Sequence, residues 1–282
     1  ELVLASDPDA DRVGTAVKNN EGEWVLLNGN QTALMFVYYL ITRWKELGKI
    51  QGKEYIVKTI VTTETIKTIA DRNGVGFYDV YTGFKWIANV MKQNEGKLNY
   101  IGGGEESYGF LCEDFVRDKD AVSACAVLAE IAAWAKDQGM SMYQLLQKIY
   151  VEYGFSKEKG ISVVKKGKSG AEEIEAMMKH FRENPLKEIA GSKVTYFYDY
   201  STLKGIDYLE NETLTLDMPV TSNVLQFFTE DGTKVSIRPS GTEPKIKFYC
   251  EVHSKVNSVE ELDAADKAAT EKIEAIKASL GI

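Results

Sequence analysis

Histidine is nearly absent from this sequence: 282 residues hold two, His180 and His253. A zinc site built on imidazole, or a Ser-His-Asp triad, would have to use one of them. His180 lies within the helical pattern EIEAMMKHFREN and His253 at a strand end, both surface or edge settings. Cysteine is scarce as well. Cys112, Cys125 and Cys250 are odd in number and far apart, which implies no disulfide framework and leaves free thiols of a reducing compartment. Long apolar runs are missing. The longest, from Ala121 to Ala135, is broken by Ser123 and Glu130 and is too short and too polar to span a bilayer. No signal-peptide pattern opens the chain, so the expected location is cytoplasmic. Positive charge is in deficit, with 34 Lys and Arg against 42 Asp and Glu for a net charge of −8. That balance argues against a nucleic-acid partner, which demands a basic face.

What is present suits a globular protein. Hydrophobic residues make up 44% and charged residues 27% of the chain, enough for a sizeable core and one to three domains. A strand over Leu2–Ala5 enters an acidic loop, and TAVKNNEGEWVLLNG reads as a hairpin turning at Asn20–Gly22. A helical stripe runs from Gln31 to Leu47 and stops at Gly48. After the first candidate linker, GKIQGKE, strands at 55–61, 76–81 and 99–104 alternate with helices at 64–74 and 82–93, the second capped by Thr82. The last of these strands enters a glycine turn. Helices then span Asp120 to Gly139 and Ser141 to Tyr153. This alternation predicts a mixed-sheet α/β layer with ligands at the carboxyl ends of its strands. Past a second linker, KKGKSG (165–170), the pattern changes to a helix at 171–184, a strand at 194–200, three antiparallel strands turning first at Asp231-Gly232, and a closing helix at 259–280. That order predicts a smaller α+β C-terminal domain with an antiparallel sheet.

Three loops carry chemistry. In DPDADR, Asp7, Asp9 and Asp11 sit at alternate positions after a buried strand, with Arg12 following. A hard divalent cation such as Mg2+ wants several oxygen ligands, and alternate residues of a tight loop can aim three carboxylates at one ion. The calcium EF-hand does not fit, because its sixth position is Arg12 and its twelfth is Lys18. Three carboxylates overshoot the charge of one dication, and Arg12 offsets part of the excess near any added phosphate. The alternative is a solvated acidic turn. The second loop, GGGEESYGF (102–110), lacks the Lys and Ser/Thr of a P-loop. Glu105, Glu106 and Ser107 instead suit a polyhydroxy ligand, whose hydroxyls donate to carboxylates. An exposed glycine turn is the rival reading. The third, RPSGTEPK (238–245), combines the planar fork of Arg238 with Ser240, Thr242 and backbone N–H groups around Gly241, a nest for phosphate without a metal. A rigid hairpin loop is its rival.

These three loops, in this order and spacing, resemble the α-D-phosphohexomutases, the family of phosphoglucomutases and phosphomannomutases. The Pro8 and Tyr-Gly-Phe features are most similar to the branch of bacterial phosphoglucomutases and phosphopentomutase-like enzymes. The resemblance implies a magnesium loop at Asp7, Asp9 and Asp11, sugar recognition by Glu105 and Ser107 with Lys85 of TGFKWI, and phosphate binding at Arg238, Ser240, Gly241 and Thr242. It implies four domains around one cleft, of which this chain would carry the end of the second (1–48), the third (49–166) and the fourth (167–282). The phosphorylated serine of the family, in a Ser-His-Asn-Pro-like loop, has no counterpart here. The chain, which opens on Glu, is therefore expected to be a fragment, inactive alone. The implied activity is phosphoryl transfer between the C1 and C6 hydroxyls of a hexose, glucose 1-phosphate to glucose 6-phosphate. It would proceed through phosphoserine with Mg2+ and glucose 1,6-bisphosphate. Tyr108-Gly109 stands where many members have Gly-His, so no general base is carried over. The expected partner is a small sugar phosphate, with neither nucleic acid nor membrane. A non-catalytic phosphosugar-binding or regulatory protein is the second reading.

Overall fold

Residues 2–165, 167–241 and 243–282 are described by the computed structural model of the chain. They divide into two compact units. One holds the residues up to Gly154 with Asn257–Val259, the other Phe155–Val256 with Glu260–Ile282.

The first unit begins with an antiparallel hairpin, β1 (Leu2–Ser6) and β2 (Val13–Lys18), joined by β3 (Trp24–Leu27) into one small sheet. Helix α1 (Gly29–Glu46) follows. Asn28 and Gln31 form a reciprocal capping box at its start, a device whose loss costs about 1 kcal/mol. From Ala33 to Ile41 every residue of α1 is buried, so this is a central helix rather than an amphipathic surface one. Its Phe36 ring stacks on Phe110 at 4.4 Å. Then come β4 (Glu54–Thr59), α2 (Thr65–Arg72), β5 (Gly76–Val80), α3 (Phe84–Asn94), β6 (Asn99–Gly104) and β7 (Phe110–Cys112). Strand order is β5-β4-β6-β7, parallel for the first three and antiparallel for β7. Tyr55, Val57, Val80, Ile87, Tyr100 and Leu111 form the core beneath α3. Helices α4 (Ala121–Asp137), capped by Asp120, and α5 (Met142–Tyr153), with a Ser141–Gln144 capping box, complete the unit.

The second unit contains β8 (Phe155–Val164), α6 (Gly167–Glu183), β9 (Glu188–Ile189), β10 (Ser192–Asp199), β11 (Lys204–Asp207), β12 (Glu212–Thr215), β13 (Leu225–Thr229), β14 (Lys234–Pro239), β15 (Lys245–Ser254) and α7 (Leu262–Leu280). Among the described residues its strands run β12-β11-β10-β13-β14-β15-β8, all antiparallel, with β9 beside β10. Alternate residues Val235, Ile237, Ile246, Phe248, Cys250 and Val252 are buried on one face, where the Phe181 ring of α6 meets Phe248 at 6.4 Å. The opposite face is polar. Lys234 and Glu251, cross-strand partners, pair there at 2.9 Å with both side chains buried.

The α/β unit followed by an antiparallel C-terminal domain agrees with the sequence reading. Its details differ in four places. Gly83, not Thr82, precedes α3, at φ 112, a conformation suited to glycine. Strand β8 falls between the helix expected to end at Tyr153 and the linker expected at 165–170, where no element is expected. Its alternation is masked by Lys157, Glu158, Lys159 and Gly160, and it becomes a strand because ten residues pair with β15. The second unit accordingly begins at 155 rather than 167. No unit boundary falls at 48, since α1 packs on β6. The hairpin β11–β12 is short and polar and shows little strand propensity of its own. It forms beside β10, where the Tyr198 ring lies over Gly205, leaving no room for a Cβ. Among the described residues no helix is long and apolar enough to cross a membrane.

Candidate functional site

The acidic loop is the connection of the β1–β2 hairpin. Pairing ends at Ser6↔Val13, and residues 7–12 bridge the strands. The loop is closed by the Asp7 N–H donating to the Arg12 carbonyl at 3.2 Å and the Ala10 N–H to the Asp7 carbonyl at 3.0 Å, with Ala10 left-handed at φ 57. Asp7 Oδ1 accepts the N–H groups of Arg12 (3.0 Å) and Asp11 (3.1 Å). Those donors, Arg12's first, hold the Asp7 carboxyl below its ordinary range. One carboxylate oxygen from each of Asp7, Asp9 and Asp11 lies within 4.8 Å of the others. Asp11 Oδ1 is buried without a hydrogen bond. Three clustered hard oxygens, on carboxylates of which one has an oxygen without a hydrogen bond, fit a divalent cation such as Mg2+. Arg12 Nε lies 3.7 Å from Asp11 Oδ1 on a half-exposed side chain.

The second loop leaves the carboxyl edge of the parallel strands, where ligands gather in such sheets. Three connections emerge there, 60–64 after β4, 81–83 after β5 and 105–109 after β6. Gly102, Gly103 and Gly104 are not the turn; they are buried residues of β6. A Cβ on Gly103 would sit 2.4 Å from the Val57 carbonyl oxygen, and one on Gly104 2.5 Å from that of Gly109. The glycines let neighbouring chain approach, and the turn is 105–109, closed by Glu105 N–H to Gly109 O at 2.8 Å. Glu105 is buried, and its Oε1 accepts the Gly83 N–H at 2.7 Å. It thus ties this loop to the TGFKWI segment, where Lys85 is exposed in the first turn of α3 with Nζ 5.1 Å from the Trp86 ring. Glu106 Oε2 accepts from Thr59 Oγ1 at 3.2 Å, and Ser107 is half-buried.

The two loops meet. The Val13 N–H donates to the Tyr108 carbonyl at 3.2 Å, and the Ala121 N–H at the start of α4 to the Ala10 carbonyl at 3.0 Å. Lys119 completes the join. Its Nζ lies 2.7 Å from Asp11 Oδ2 and 3.4 Å from Asp118 Oδ1, 5.8 Å from the Phe84 ring, and its stem fills the space beside Gly109. Burial opposes its charge, but Asp11 and Asp118 keep its pKa above the ordinary lysine value. Sequence reasoning missed Lys119, whose only local signal is a lysine flanked by acids before a helix. It also missed Lys58, a lysine within an apolar strand, fully buried with Nζ 2.9 Å from Glu64 and 2.7 Å from Asp79.

The third loop, in the second unit, closes the β14–β15 hairpin. Arg238 pairs in register with Lys247 and Pro239 with Ile246. Ser240 N–H donates to the Lys245 carbonyl at 2.8 Å, and Ser240 Oγ accepts the Glu243 N–H at 3.3 Å. Lys245 sits 2.8 Å from Glu243 and lowers its pKa. Among the described residues no acid pairs with Arg238, which leaves its fork of donors available to an anion. A cleft of ≈ 400 Å³ lined by Met178, Asn223, Pro239, Ser240, Gly241 and Lys245 adjoins the loop. Thr242 lies outside the described residues.

Comparison with known proteins returns one family twice. The profile described as phosphoglucomutase/phosphomannomutase, alpha/beta/alpha domain III matches residues 28–153, and that of the C-terminal domain matches 163–269. A phosphoglucomutase of Staphylococcus aureus is 38% identical over 249 residues, which are 88% of this chain and 44% of that protein. The chain therefore spans less than half the length of the curated relatives it matches. Among solved structures, the exocytosis-sensitive phosphoprotein pp63/parafusin of Paramecium, named a phosphoglucomutase, superposes with a TM-score of 0.61 at 18% identity. That superposition covers 97% of this chain and 45% of that one. The N-acetylphosphoglucosamine mutase of Aspergillus fumigatus, solved with GlcNAc-6P and magnesium, gives 0.51 at 13%, covering 100% and 49%. Both show the same fold.

Proposed function

The chain belongs to the phosphoglucomutase/phosphomannomutase family, and on that premise we propose that it is the sugar- and metal-binding part of a phosphosugar mutase. The observation that carries the reading is the join between the acidic loop and the 105–109 loop through Val13 and Tyr108, within one unit. It sets a carboxylate triad for a cation beside donors and acceptors for a polyol.

Asp7, Asp9 and Asp11 would hold Mg2+, which when bound neutralises charge on a phosphoryl group in transfer. Arg12, half-exposed beside Asp11, adds positive charge where that group would sit. Glu105 fixes the Gly83 turn and with it the start of α3, so that Lys85 and Ser107 are presented to sugar oxygens. Arg238, Ser240, Gly241 and Thr242 would bind the phosphate that is not being transferred. The reaction served is the isomerisation of glucose 1-phosphate to glucose 6-phosphate. A phosphoserine on a segment this sequence does not contain would pass its phosphoryl group to a sugar hydroxyl: the serine–phosphorus bond breaks as the sugar oxygen–phosphorus bond forms, and the hydroxyl proton ends on the freed serine oxygen. The glucose 1,6-bisphosphate so formed turns, and its other phosphate returns to the serine. GlcNAc-6P and magnesium in the Aspergillus structure support the class of ligand.

Calorimetric titration of the chain with glucose 1,6-bisphosphate in Mg2+ tests this. Binding is expected, and Arg238→Ala should weaken it about tenfold or more, since a hydrogen bond to a charged group contributes about 1.5–3 kcal/mol. Equal affinity in the variant, or no binding by the parent, overturns the assignment.

A further inference from the structure

We propose that Lys119 is a resident counter-cation of the acidic loop: its ammonium neutralises the aspartates while no divalent ion is bound, and it competes with that ion for Asp11. The inference rests on the reading of Asp7, Asp9 and Asp11 as Mg2+ ligands.

Three carboxylates whose oxygens lie within 4.8 Å repel one another, and the loop holds them together all the same. The close positive charge is Lys119. Its Nζ lies 2.7 Å from Asp11 Oδ2, and the side chain is only 12% exposed. Arg12 is the weaker partner, at 3.7 Å and 51% exposed. The position of the ammonium is built in rather than incidental. The lysine stem occupies the space a side chain at 109 would need, 2.1 Å from its Cδ to a Cβ there. The ammonium also lies 5.8 Å from the Phe84 ring, which steadies a cation from the other side.

A hard cation binds carboxylate oxygens directly and at short range. One Asp11 oxygen accepts no hydrogen bond, with Arg12 Nε 3.7 Å away, and the other is occupied by Lys119. Two cations that share one carboxylate are coupled negatively, and linkage requires each to weaken the other by the same factor. Lys119 thus stabilises the metal-free loop and lowers its affinity for the ion, so the ion finds a loop already folded and remains exchangeable.

The test is Mg2+ titration by calorimetry and thermal unfolding of the 282-residue chain and its Lys119→Met, Lys119→Arg and Asp9→Asn variants. Methionine keeps the stem that packs on Gly109 and removes the charge. Lys119→Met should bind Mg2+ about tenfold more tightly, a coupling within the usual range. Its metal-free Tm should fall while saturating Mg2+ restores it, and Lys119→Arg should behave as the parent. If Lys119→Met binds Mg2+ no better, or worse, while Asp9→Asn loses the ion, the metal reading stands and the counter-cation inference is overturned. If Asp9→Asn binds as the parent does, or the parent binds no Mg2+, the metal reading fails and this inference with it.

Discussion

Gly29 shows how little tolerance the site allows a single residue. It is the first residue of α1, and a Cβ there would lie 2.0 Å from the Glu106 carbonyl oxygen and 2.8 Å from the Tyr108 nitrogen. Those atoms are backbone and cannot rotate away. Gly29→Ala should therefore displace the 105–109 loop, cost about 1–3 kcal/mol in urea unfolding as overpacking does, and weaken sugar-phosphate binding. An unchanged unfolding midpoint would show that the loop yields freely. At this scale the sequence was legible where chemistry is local. The alternate spacing of three aspartates within five residues announces their grouping, whereas the burial of Glu105 against the Gly83 N–H is set by the fold and not by its neighbours in sequence. Lys119 was not legible, because it meets Asp11 across more than a hundred residues and only the fold brings them together. The glycines at 102–104 were visible as a signal but not as to its cause, since close approach within a sheet and a turn both call for glycine.

Among the elements, β15 carries the most consequence. Its Glu251 is buried between Lys234 and His253, with His253 Nε2 at 2.7 Å. Burial opposes a charged imidazole, but the charge and hydrogen bond of Glu251, helped by Glu158 across the β8 pairing, outweigh it and the repulsion of Lys234. The His253 pKa is raised above 6.5. The protonated ring is thus favoured in the fold. Its contribution is complete below pH 6.5 and is lost as pH rises through the higher folded value. Urea midpoints at about pH 6 and about pH 8.5 should fall more for the parent than for His253→Gln, which carries no titrating group. Parallel behaviour of the two proteins would remove His253 as the cause. Elements with clear periodicity or a glycine or Asp-Gly turn signal, such as α1, α4, α5 and β13–β15, were legible within a residue or two. Strands β8, β11 and β12 were not, because their partners rather than their own residues make them strands.

For the whole molecule, the division at 154/155 makes a definite prediction. A segment of residues 155–282 carries every strand of its sheet and should unfold cooperatively on its own. A segment of 167–282 lacks β8, leaves the ten-residue edge of β15 unpaired, and should aggregate or remain partly unfolded. Circular dichroism and sedimentation of the two segments distinguish them, and equal behaviour would mean that β8 is dispensable. The β8–β15 pairing also has a consequence in time. Ribosomes add about 5–20 residues per second, so the ninety residues from Phe155 to Lys245 keep β8 waiting for its partner for several seconds of synthesis. During that interval it is a bare strand in a crowded cell. Lys157, Glu158, Lys159 and Gly160, the residues that hide β8 from a sequence reader, also make it a poor match for any neighbouring nascent chain.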